Sequence, residues 1–216
     1  MPAKAFFFEG SELGADLKTN RLTVRSCREH NQSFSDDEEY VAFVAYMDLQ
    51  NAAEAHRHAM GRQFEVLKAK VGHRLGQRIQ AGLGQTHATA LPTLRTDMKA
   101  VERVGEKIAR GLHYRLTGRR LQGQVVVWSS SMVGGHPRVR SNLQVYATAF
   151  DELGYAREGC SGHPLVFEYA HKVDTLGRCV IMRFRFFRGF ELRAIAFGPW
   201  LTGLEDKPMD WPLRLA

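Results

Sequence analysis

Cys179-Val180-Ile181-Met182-Arg183-Phe184-Arg185-Phe186-Phe187-Arg188-Gly189-Phe190, with its continuation to Phe197, decides the fold class of this chain. Val180, Met182, Phe184 and Phe186 alternate with Ile181, Arg183 and Arg185. That period of two places one set on each face of a strand. Arg188-Gly189 reads as a two-residue turn, and Phe190 to Phe197 returns, so the segment predicts an antiparallel hairpin. Its arginines share one face. Two readings are open for that face: a phosphate-binding surface, or the wet side of a half-buried antiparallel sheet.

Working outward, Val125 to Trp128, Leu143 to Phe150 and Leu165 to Tyr169 are also rich in β-branched and aromatic residues. Upstream the pattern is helical. Strands are expected within 124–198 and helices within 35–118. Helices followed by strands predict an α+β fold, with about three helices packed on an antiparallel sheet of four to six strands. Residues 35–216 read as a single domain of this kind, and residues 1–34 as a separate, less self-sufficient segment that docks on the helices through Phe6 to Phe8.

Three helices are expected. The first starts at Ser35, whose hydroxyl is placed to cap a backbone N–H while Glu38 reaches back. Asp36, Asp37 and Glu38 also suit the positive end of the helix dipole, which explains the acidic cluster more cheaply than a metal does. Tyr40, Phe43, Val44 and Met47 form its apolar face. A second helix spans about 61–80, with Phe64, Leu67, Val71, Leu75 and Ile79 in one stripe and Arg78 largely off it. Ala81 to Pro92 reads as a connector. The third is capped by Thr96 or Asp97, buries Val101, Val104, Ile108 and Leu112, and ends at Gly118.

The chain has 216 residues, 44% of them hydrophobic, enough for one sizeable core. Its 13 Phe carry no polar group and belong mostly inside. No apolar run approaches the ~18 residues of a membrane span, and the start is too weakly apolar for a signal-peptide core. Three cysteines, an odd and sparse set, do not read as a disulfide framework. A reducing cytoplasmic location is the expectation, with no membrane partner. The formal net charge is +7, which favours polyanions without choosing among them.

One short run carries metal chemistry. In Ser26-Cys27-Arg28-Glu29-His30-Asn31, a Cys-x-x-His pair can present a thiolate and an imidazole to one zinc ion. Two ligands make half of a tetrahedral site, and a small turn around a buried thiol explains the pair equally. Cys160-Ser161-Gly162-His163 repeats the spacing and could complete a Cys2His2 set. Other catalytic frames are missing: Ser129-Ser130-Ser131 lacks the glycines of a nucleophile elbow, and no phosphate-binding loop is present.

The runs Ala3-Lys4-Ala5-Phe6-Phe7, Val24 to Asn31 and Ser35 to Tyr40, with Val104 to Gly118 more loosely, resemble a family of bacterial HNH-endonuclease-like proteins. The resemblance covers about 1–45 well and 96–121 loosely, and implies a partial ββα-metal-like segment at the start. By it, Cys27 and His30 are the second half of a structural zinc knuckle. Asn31 is the catalytic-site asparagine that orients the loop. Two departures matter. No Cys pair precedes Cys27, and no acidic-His dipeptide precedes Pro2-Ala3-Lys4. That His is the general base in such nucleases, beside a divalent ion. The resemblance therefore implies a truncated or degenerate, catalytically incomplete protein. Zinc is expected in a structural role, and a divalent ion only if nuclease activity is retained.

The functional expectation is nucleic-acid binding through basic surface. Arg119, Arg120, Arg183, Arg185 and Arg193 are the candidate phosphate contacts. Two alternatives stand beside it: a non-catalytic interaction module, including a homodimer, and a hydrolase with His163 or His171 in a pocket of the β half.

Overall fold

The computed structural model describes residues 34–47, 73–85, 92–129, 148, 151, 154–155, 157–160, 164, 166–173 and 179–197. They form three continuous helices, α1 (Ser35–Met47), α2 (His73–Gly82) and α3 (Met98–Thr117). They also form seven strands: β1 (Leu83–Gln85), β2 (Pro92–Leu94), β3 (Val125–Trp128), β4 (Arg157–Cys160), β5 (Phe167–Val173), β6 (Cys179–Phe186) and β7 (Phe190–Phe197). β3 to β7 make one antiparallel sheet in the order β3-β7-β6-β5-β4. The fold is α+β, with helices packed against a five-stranded antiparallel sheet, as the sequence pattern predicts.

Period-two alternation sets the two faces. Val127, Ala194, Met182 and His171 lie in one cross-strand row, and Leu192, Phe184 and Tyr169 in the next. This face meets α3. Met182, Phe184, Phe186, Phe190 and Leu192 are fully enclosed there, and fully burying each such side chain stabilises by about 1.5–3 kcal/mol. One core cluster runs from α1 through α3 into the sheet.

α3 is the central element. It packs on α1 on one side and on β3 and β7 on the other. Two partners explain a buried stripe wider than the four residues expected: Ala100, Gly105, Ala109 and His113 are buried as well. Small residues let neighbours close in. A methyl at Gly105 would stand 2.5 Å from Val127 Cγ1. α1 is likewise more enclosed than its expected face, since every residue from Tyr40 to Ala45 is buried.

Several local expectations are corrected. Ser35 is not the cap of α1: Glu38 N–H donates to the Phe34 carbonyl at 2.9 Å, so Phe34 is the last residue before the helix. The Glu38 carboxylate does not fold back; it accepts from Lys107 at 2.6 Å. The connector after α2 contains a small antiparallel ribbon, β1 with β2. Of the strand expected at 143–150, Thr148 is helical, as is Asp151. The hairpin loop holds three residues, 187–189, rather than two, since Phe186 pairs with Phe190. Positive φ falls on Phe187 (50°) and Arg188 (62°), not on Gly189, whose N–H closes the turn onto the Phe186 carbonyl at 3.1 Å. A turn with left-handed backbone at both centres suits the twist of a hairpin. Phe187 is held there, 5% exposed, with its N–H donating to the Val166 carbonyl. The strand at 165–169 instead runs over Phe167–Val173. Residues 1–33, including Phe6 to Phe8, lie outside the described residues, as do Phe64, Leu67 and Val71.

Candidate nucleic-acid interface

The C-terminal end of α3 is built by its own sequence. Asp97 starts the helix, its side chain accepting from Ala100 N–H, and Gly118 ends it. Gly118 has φ 72°, the left-handed conformation glycine adopts at no steric cost, and its N–H donates to the Tyr114 carbonyl at 2.8 Å. Thr117 Oγ1 donates to the His113 carbonyl at 2.7 Å and accepts from Arg119 N–H at 3.1 Å. This fixes the path of the chain where Arg119 and Arg120 emerge.

Arg115, Arg119 and Arg120 are exposed there, and no described carboxylate pairs with any of them. Arg157, from the edge strand β4, donates to the Leu116 carbonyl. The negative end of the helix dipole favours cations at this place, so the cluster is stable without counter-ions from the protein.

Beneath it lies a pair the sequence did not reveal. His113 on α3 and His171 on β5 share a hydrogen bond, Nδ1 to Nε2, at 3.1 Å. Their rings are tilted, with centroids 5.3 Å apart. Both are buried, His171 to 2% exposure. Burial, then His113 and Arg157, push His171 down to about 4. Burial, then Arg119, push His113 down from its ordinary value. The pair is neutral at pH 7. His171 does not line the cleft on the outer face of the sheet, which is formed by other residues. His163 lies outside the described residues.

The sheet arginines present a different picture. Arg183, Arg185 and Arg193 do share the outer face, and carboxylates meet all three. Arg193, its side chain 7% exposed, is held by Asp151 at 2.9 Å and Glu191 at 2.7 Å. Arg183 pairs with Asp151 and Glu158, and Arg185 with Glu168 and Glu191. Tyr155 lies against the Arg183 guanidinium, ring centroid to Cζ 5.0 Å.

In the acidic first turn of α1, Asp37 and Glu38 pair with basic side chains of the other helices. Asp37 accepts from Arg78 at 2.9 Å and from Arg103 at 2.7 Å. Arg78 reaches on to Asp97 at 2.5 Å and stacks over the Tyr40 ring, whose hydroxyl accepts from Asp97 N–H. Burial alone would raise the Asp37 carboxyl, but the bonds from Arg103 and Arg78 hold it below the usual range. These charges fasten α1, α2 and α3 to one another.

Cys27, His30 and Asn31 lie outside the described residues. Cys160 is exposed on β4. Among the described residues, no three or more His, Cys, Asp or Glu side chains are grouped to hold a metal ion. No described helix is long and apolar enough to cross a membrane. Compared with protein-family models, curated proteins and solved structures, the chain matches none.

Proposed function

We propose that this chain is an HNH-endonuclease-like protein that binds nucleic acid through the basic end of α3. One observation carries the reading: Arg115, Arg119 and Arg120 are exposed in or just beyond the last turn of α3, with no described carboxylate to neutralise them. Arg78, Arg103 and Arg193, by contrast, are each met by a carboxylate. Uncompensated arginines on a chain of net charge +7 suit a polyanion. Arg119 and Arg120 act as positioning contacts to phosphate, which fix orientation and read no bases. Arg183 and Arg185 stand further down this ranking, because carboxylates already meet them. Arg193 is committed to Asp151 and Glu191 and holds the outer face together.

No cleavage step is assigned to the chain. The nuclease resemblance rests on Cys27, His30 and Asn31, with zinc as a structural ion on the first two. Fluorescence anisotropy with a short labelled duplex tests the binding reading. The double variant Arg119→Ala, Arg120→Ala is expected to bind at least about tenfold more weakly than the parent. Equal affinity would remove the basic end of α3 from the interface.

A further inference from the structure

The outer face of the sheet holds a cleft of about 440 Å³, lined by Glu158, Cys160, Glu168, Arg183 and Arg185 among others. Four of these are charged, two of each sign. Arg183 and Arg185 lie two residues apart on β6, so their Cα atoms stand about 7 Å apart on one face. Glu168 is directly opposite Arg185, and Glu158 is in register with Ala170 and, through it, with Arg183. Ala170, between them in that row, contributes only a methyl and is itself covered.

The ion pairs in the cleft are long. Arg183 to Glu158 is 3.3 Å, and Arg185 to Glu168 is 3.6 Å. Arg193, a neighbour on the same face, makes its pairs at 2.7 and 2.9 Å. The cleft side chains are also open to solvent, Glu158 being 61% exposed and Arg185 37%. Loose, hydrated pairs of this kind contribute little to stability. They are replaceable by a ligand that offers each guanidinium a closer acceptor.

We propose that this cleft binds a small zwitterion with one carboxylate and one ammonium group, of amino-acid or dipeptide size. The carboxylate takes the two guanidiniums, and the ammonium takes Glu158 and Glu168. The exchange leaves no charge unpaired. A simple anion on the two guanidiniums would stand beside the Glu158 and Glu168 carboxylates, and that like-charge repulsion weakens it against a molecule that carries its own ammonium. The cleft therefore selects for both charges on one molecule. This is independent of nucleic-acid binding at the end of α3.

Isothermal titration of the full chain with three probes tests the proposal: alanylalanine, N-acetylalanine and alanine amide. The dipeptide is expected to give saturable binding, with each single-charge analogue at least about tenfold weaker. Glu158→Gln and Arg185→Gln each weaken the dipeptide, while Arg119→Ala does not. Glu158 is exposed enough that its replacement leaves folding intact, which thermal unfolding checks. No saturable binding of the dipeptide, equal binding of N-acetylalanine, or an unchanged affinity in Glu158→Gln would each overturn it.

Discussion

His113 Nδ1 lies 3.1 Å from His171 Nε2, joining the last turns of α3 to β5 with two buried imidazoles. The bond needs one ring to donate and the other to accept, so protonating both rings abolishes it. Burial and the neighbouring charges hold His171 at about 4, and His113 is held below its ordinary 6.5. The sign follows. Between pH 6.5 and about 4 the unfolded chain binds more protons than the folded one, so stability falls as pH falls. The full contribution is present above the unfolded value and is lost on descent through the folded one. For His171 alone the loss is on the order of 3 kcal/mol. Thermal unfolding between pH 7 and 4 is expected to show this decline, and His171→Gln to flatten it.

Asp37 ties α1 to both other helices through Arg78 and Arg103. Removing its carboxylate leaves two guanidiniums facing a buried gap. Arg103 is 48% exposed, so water recovers part of the loss. Asp37→Ala is expected to cost about 1–3 kcal/mol, measured by urea unfolding. Asp37→Asn should cost less, because it keeps an acceptor. A metal-site reading of the same cluster predicts instead that added divalent ions stabilise the parent and not the variant.

Gly105 allows α3 to sit against β3. A methyl there meets Val127 Cγ1 at 2.5 Å, inside any ordinary contact. Better helix propensity favours Gly105→Ala by up to about 1 kcal/mol, while the clash costs about 1–3 kcal/mol. Net destabilisation is expected. Val127→Ala should partly restore Gly105→Ala, and a double-mutant cycle measures that coupling.

The zinc expectation is open to elemental analysis of the purified chain. An HNH-like knuckle predicts one zinc per chain, lost in Cys27→Ser. Zinc-free parent protein would reduce Cys27 and His30 to a turn with a thiol.

Regular patterning made much of the fold legible. The alternation from Val180 to Phe186 gave the hairpin its strands, and Asp97 and Gly118 marked α3 by their cap chemistry. Long-range pairing left no local trace. Ser35 followed by Glu38 has the spacing of a capping box, yet Lys107, 69 residues from Glu38, takes that carboxylate. His113 and His171 are 58 residues apart, and only the packing of α3 on the sheet joins them. The turn misled because Gly189 is the expected owner of a positive φ, whereas Phe187 and Arg188 adopt it. That Arg119 and Arg120 follow a helix end was legible from Gly118 before them. The neutralisation of Arg193 was not, since it depends on Asp151, 42 residues away.

The most direct test of the basic end of α3 is the salt dependence of duplex binding between about 50 and 200 mM salt. Each phosphate neutralised contributes about 0.9 to the slope of log affinity against log salt. The account predicts a steep decline for the parent, and a slope shallower by about 1.8 for Arg119→Ala, Arg120→Ala. Arg183→Ala, Arg185→Ala is expected to change it less. An identical slope in the parent and the Arg119, Arg120 variant, or no measurable duplex binding by the parent, would contradict it.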